Sequence, residues 1–170
     1  MSSRILVDEV YGKTANTSAL TIDSSGNVTI PQRLSITTIP YAFATFPDTG
    51  NYVSKTQNSI LDFSNAVVND GNHYNTSTYK FTCPVAGLYS VQYSTFTQNS
   101  GDAYSVFVVR NTGGTETKVA RIFTQSRSLA GAMTVKCSAN DDLYLVTNST
   151  YNFYQSVTNP YNWIMYRFVG

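Results

Sequence analysis

His73–Tyr93 reads HYNTSTYKFTCPVAGLYSVQY. Pro84 cannot donate to a strand ladder and Gly87 tolerates unusual dihedrals, so CPVAG is a turn between a strand around Phe81 and a strand over Leu88–Phe96. Within the second strand, two-residue alternation places Tyr89, Val91 and Tyr93 on one face and Ser90, Gln92 and Ser94 on the other. The first set is core, and the second is free to meet neighbouring subunits. The same stretch holds the chain's single His and one of its two Cys. A Cys–His nucleophile would need His73 beside Cys83 or Cys137, with a third group orienting the imidazole. His73 instead lies in an Asn-rich turn and Cys83 precedes Pro in a predicted buried strand, so both read as structural and no catalytic residue is assigned.

Working outward from this block, YAFATF, ILDFSNAVV, YKFTC, LYSVQYSTF, AYSVFVVR, TKVARIF, AMTVKC, DLYLVT and NWIMYRFV are short and rich in β-branched and aromatic residues. Each is bounded by Gly, Asn, Asp, Pro or Ser, and no helical periodicity of comparable length competes. Strands at roughly ten-residue intervals imply an antiparallel, all-β sandwich of two sheets with jelly-roll connections. Composition agrees: 14% of residues are aromatic, 13 of them Tyr, and Ser, Thr and Asn make up about a third of the chain, which suits polar outer faces and turn-rich connections.

The amino-terminal part is different. In ALTIDSSGNVTIP, Leu20 and Ile22 alternate with polar residues, Ser24–Asn27 supplies a turn, Val28 and Ile30 resume the alternation, and Pro31 ends it. A lone hairpin is marginal, so these four apolar residues are expected to dock on a partner. The organisation is therefore an attachment arm over residues 1–38 and a globular head over residues 39–170. The opening MSSRILVDEVYG contains Arg4, Asp8 and Glu9, which interrupt the apolar run a leader or membrane span needs, so neither secretion by that route nor membrane insertion is expected. The sequons at Asn16, Asn27, Asn75 and Asn148 then read as unglycosylated.

Only 12% of residues are charged and the net charge is +1, which excludes the basic footprint of a nucleic-acid binder. Cys83 and Cys137 lack metal spacing and read as buried thiols rather than a disulfide. Asp141 and Asp142 are adjacent, so in a strand they point to opposite faces and cannot act as a hydrolytic pair, whereas in a turn they cap backbone amides. No cofactor is expected.

YAFAT at Tyr41–Thr45, NDGNHYNTSTYKFTCPVAGLYSVQY at Asn69–Tyr93 and MTVKCSANDDLYL at Met133–Leu145 together resemble the globular-head domain of complement component one-q, over residues 40 to 170. The resemblance implies the jelly roll shared with tumour necrosis factor, assembly as a compact homotrimer, and room for calcium near the trimer axis, where Asp141 and Asp142 are the available carboxylates. Three departures stand out. Tyr79 occupies a position where the family usually has Gly, Asn140-Asp141-Asp142 replaces its Gly-Asp turn, and NWIMYRFVG matches its closing strand only loosely. No collagen-like Gly-X-Y repeat occurs in the chain. The arm, ILVDEVYGKTANTSALTIDSSGNVTI, is similar to leading segments of tailed-phage and marine-virus fibre proteins.

These resemblances imply a virion-surface protein, a trimeric fibre tip or capsid or tail appendage held to other virion proteins by its arm, with a host surface protein or glycan as a further partner. A soluble trimeric ligand of a cell-surface receptor is the alternative, and an enzyme the third class. If the arm anchors the protein, the loops at the opposite end of the jelly roll face outward. Thr97–Tyr104 and Asn148–Asn162 fit that place. They carry Tyr104, Tyr151, Tyr154 and Tyr161 as the candidate recognition residues, aromatics set among amides and hydroxyls. The same rings are equally well suited to finishing a core or a strand.

Overall fold

The computed structural model describes residues 9–12, 15–22, 24–25, 28–29, 39–98, 104–156, 158 and 161–170. The chain divides into two compact units, Met1–Thr37 and Thr38–Gly170. In the first, β1 (Glu9–Gly12), β2 (Ala15–Ile22) and β3 (Val28–Thr29) form a three-stranded sheet in that order. The expected hairpin is β2–β3, with Thr21 opposite Thr29 and Ile22 opposite Val28. Leu20 pairs with Val10 of β1, so the earlier apolar run supplies a third strand. Ile30 lies outside the described residues.

The head contains β4 (Tyr41–Thr45), β5 (Asn51–Lys55), β6 (Asn65–Asp70), β7 (Tyr74–Asn75), β8 (Lys80–Thr82) and β9 (Gly87–Phe96). These are followed by β10 (Tyr104–Thr112), β11 (Thr115–Thr124), β12 (Ser128–Cys137), β13 (Asp142–Thr147), β14 (Tyr151–Gln155) and β15 (Trp163–Phe168). One five-stranded sheet runs β12-β9-β15-β4-β6, the other β11-β10-β13-β8-β7, and β14 and β5 form a separate ribbon. Every pairing is antiparallel. The result is an all-β jelly roll. Its order follows from CPVAG, because β8 and β9 on either side of that turn belong to different sheets.

Tyr89, Val91 and Tyr93 are fully buried, as alternation required, and meet Phe81, Val106, Val108, Leu143 and Leu145 of the facing sheet in one core. Gly87 is set by close approach: a Cβ there would come within 2.5 Å of the Phe168 ring and 2.7 Å of the Gly170 carbonyl. Two of the three departures from the family pattern fall on strained backbone. Tyr79 has φ 60° and Asn140 φ 67°, the left-handed region in which Gly costs least and Asn is tolerated. The Tyr79 turn is held by the Asn75 carbonyl, which accepts from the Tyr79 N–H at 2.7 Å, and by the Asn75 side chain, which accepts from Ser77 N–H.

Two expectations change. ILDFSNAVV is not one strand: β6 starts only at Asn65, while Leu61 and Phe63 are buried from irregular backbone anchored by the Leu61 N–H to the Leu145 carbonyl at 3.0 Å. The stretch Asn148–Asn162, expected as a loop, contains β14, because its Tyr151, Phe153 and Gln155 alternate inward against the core.

Candidate interaction surface

The thiols, the His and the acidic pair are all held in structural contacts. Cys83 and Cys137 are free and buried. The Cys83 N–H donates to the Asp141 carbonyl at 2.8 Å and the Cys83 carbonyl accepts from Asn140 N–H at 2.7 Å, which seats Cys83 against the turn that follows Cys137. The hydrogen bond between the two thiols, together with burial, holds the Cys83 thiol far above the ordinary thiol range. His73 stands edge-on to Phe81 at 6.2 Å, and its carbonyl accepts from Thr82 N–H. Asp141 caps its turn by accepting from Ser138 N–H at 2.8 Å, and Asp142 accepts from the Thr82 hydroxyl at 2.7 Å. Among the described residues no three His, Cys, Asp or Glu side chains gather closely enough to hold a metal ion.

The outward face of the β12-β9-β15-β4-β6 sheet is more distinctive. Ser90, Gln92 and Ser94 of β9 lie there as expected, but β15 and β4 add Trp163, Met165, Tyr41 and Phe43. Met165 is flanked by Gln92 on one side and Phe43 on the other. Trp163 lies between Ser94 and Thr45, with its ring 6.0 Å from Phe43. Ala132 and Ala130 extend the face beyond Gln92 and Ser94, and Val67 at the irregular edge of β6 is 56% exposed. Large apolar rings at the middle of an outer face, bordered by small residues, form a surface suited to being covered.

The two stretches proposed for recognition are brought together. Thr97 bridges Phe153, and the Gln98 N–H donates to the Asn152 carbonyl at 2.8 Å. Tyr154 and Tyr161 meet there with ring centroids 6.1 Å apart. Tyr151 does not join them: it is 4% exposed, packs in the core and donates its hydroxyl to Asn148, so this ring serves packing rather than recognition. The Tyr104 backbone pairs with Thr124 in β10–β11, and its side chain lies outside the described part of the structure. Sequence reasoning missed Tyr52 and Phe96. Tyr52 sits directly opposite Tyr154 across the β5–β14 ribbon, and Phe96 lies 5.2 Å from Tyr161. Only strand pairing across nearly the whole head joins these positions, so no local pattern marks them.

Comparison with known proteins agrees with this architecture. The C1q domain matches residues 42–163. A mouse complement C1q subcomponent is 31% identical over 92 residues, which cover 54% of this chain and 36% of that protein. The chain thus spans little more than a third of that relative's length. Among solved structures, Eiger TNF from S. frugiperda superposes with a TM-score of 0.63 at 13% identity, over 78% of this chain and 94% of that one. Murine APRIL at pH 5.0 gives 0.57 at 11% identity, covering 76% and 99%. The globular domain of zebrafish complement 1qA gives 0.52 at 12% identity, covering 77% and 98%. At these identities the structural likeness speaks for the fold.

Proposed function

The chain belongs to the C1q domain family, and from that premise we propose that residues 39–170 are a non-enzymatic head that assembles as a homotrimer. The arm of residues 1–38 attaches it to a larger particle as a virion fibre tip or capsid or tail appendage. The observation that carries the trimer is the outward face bearing Tyr41, Phe43, Trp163 and Met165. Three copies closing around an axis cover such a face without leaving an open, propagating edge. The appendage reading rests on the arm, which folds as a compact unit of its own and resembles viral fibre leaders. The structural likeness to Eiger TNF and APRIL favours, as a second reading, a soluble trimeric ligand.

Two measurements test this. Sedimentation equilibrium of the full chain should give a trimer at micromolar concentration, and a stable monomer would overturn the assembly. Mass spectrometry of purified particles should find the protein at a copy number divisible by three. Its absence from particles, with a trimer free in solution, would favour the soluble ligand.

A further inference from the structure

The ribbon of β5 and β14 has two unlike faces. Tyr151, Phe153 and Gln155 turn inward and are buried, with Phe153 edge-on to Phe46 at 5.8 Å. Tyr52 and Ser54 of β5 and Asn152 and Tyr154 of β14 share the outward face. Tyr52 and Tyr154 are cross-strand partners with rings 5.1 Å apart, and the series continues through Tyr161 to Phe96. Four rings therefore form a continuous ladder at the surface, with Tyr52 39% and Tyr161 47% exposed.

The ladder is held in place from beneath. Asn162, only 1% exposed, donates its side-chain amide to the Tyr154 carbonyl and accepts from Phe96 N–H at 2.6 Å, locking two of the backbones that carry rings. Rings fixed before a ligand arrives lose little entropy on binding. Among the described residues the hydroxyls of Tyr52, Tyr154 and Tyr161 make no hydrogen bond. Amides lie at the edge, where Asn152 donates to Gln98 at 3.4 Å. The ribbon's cation, Lys55, turns to the other face and pairs with Asp62 at 2.8 Å.

We infer that this ladder is a binding platform for neutral oligosaccharides. The flat rings match the apolar C–H faces of pyranose sugars, while free phenol hydroxyls and edge amides match sugar hydroxyls. Among the described residues the outward face of the ribbon carries only Tyr52, Ser54, Asn152 and Tyr154, an uncharged set that offers no partner to sialate or sulfate and desolvates cheaply against a neutral ligand. A fully covered subunit interface would bury three phenol hydroxyls that have no hydrogen bond among the described residues, a costly arrangement unless the partner bonds each one, whereas sugar hydroxyls can satisfy them. The platform deepens the display-head reading by naming the partner, and rests on that reading.

The test uses the full chain on an array of oligosaccharides of glucose, galactose, mannose and N-acetylglucosamine beside their sialylated and sulfated forms, with titration calorimetry on the hits. Neutral sugars should bind, and Tyr154→Ala and Tyr161→Ala should each weaken binding by roughly tenfold, the loss of one good aromatic contact. Tyr52→Ala, which removes an exposed ring, should do the same with an unchanged melting temperature. No binding to neutral sugars, binding only to charged ones, or undiminished capture of enzymatically deglycosylated cell-surface protein would each overturn the proposal. So would loss of oligomerisation in the tyrosine variants, which assigns the rings to subunit packing. Sedimentation of the same samples separates the two readings: a trimer that ignores sugars sinks the platform, and a sugar-binding monomer sinks the trimer.

Discussion

Phe81 stacks on Tyr166 across the interior of the sandwich, with ring centroids 4.9 Å apart and planes within 15° of parallel. Phe81 comes from β8 in one sheet and Tyr166 from β15 in the other, so this contact ties the sheets together. Phe81 also meets Tyr89 edge-on at 5.8 Å. Phe81→Ala should cost about 3–5 kcal/mol, the usual range for emptying a buried aromatic site. Chemical denaturation of the full chain measures it, and a loss under about 1 kcal/mol would mean that the site collapses or that the stack is not central.

Tyr93 offers the opposite sign. Its hydroxyl is buried with no hydrogen-bond partner among the described residues, and burial raises its pKa. Tyr93→Phe removes a desolvated polar atom while keeping the ring, and should stabilise the head by about 1 kcal/mol. A destabilised variant would reveal a bonded water at that hydroxyl.

At Tyr79 the useful comparison is between two replacements. Both Tyr79→Gly and Tyr79→Ala remove the ring, but only Gly is at ease at φ 60°. The Gly variant should be more stable than the Ala variant by about 1 kcal/mol, reversing their usual order. Equal melting temperatures would show that the turn relaxes out of the left-handed region.

On the outer face, Trp163→Glu should give a folded monomer. The side chain points away from the core, so near-native melting of the monomer is expected together with loss of the trimer, because an uncompensated carboxylate at a covered interface is costly. A trimer that survives both this change and Met165→Lys would move the interface elsewhere.

Alkaline pH should unfold the head. Burial pushes the Tyr89 hydroxyl up to about 12, and burial with the Glu116 hydrogen bond does the same for Tyr144. A phenol raised in the folded state keeps its proton where the unfolded chain has lost it. Its contribution is therefore complete below the unfolded value near 10 and is lost as pH rises towards about 12. Denaturation midpoints should begin to fall above about pH 8.5, where the unfolded chain ionises the Cys83 thiol, and fall more steeply above about 10 as the phenols join. The Tyr144→Phe variant should fall less steeply in the upper range.

The sequence by itself determined most of the strands, though not the break within ILDFSNAVV or the strand β14, together with the turn at CPVAG and the alternation of Tyr89, Val91 and Tyr93, because these follow from backbone constraints and a two-residue period that act locally. It also marked Tyr79 and Asn140 as unusual, through a family position where Gly is expected, and identified the β2–β3 hairpin from its turn residues. Only the tertiary structure decided which surface rings gather and which are core. Strand alternation sets Tyr151 with Phe153 on one face and Tyr154 on the other, but it does not say which face is core; in the structure Tyr151 is buried while Tyr154 joins Tyr52. Likewise, Phe43, Trp163 and Gln92 become one face only through the pairing of β4, β15 and β9. Register between strands distant in the chain is set by the fit of the whole core, and no local pattern encodes it.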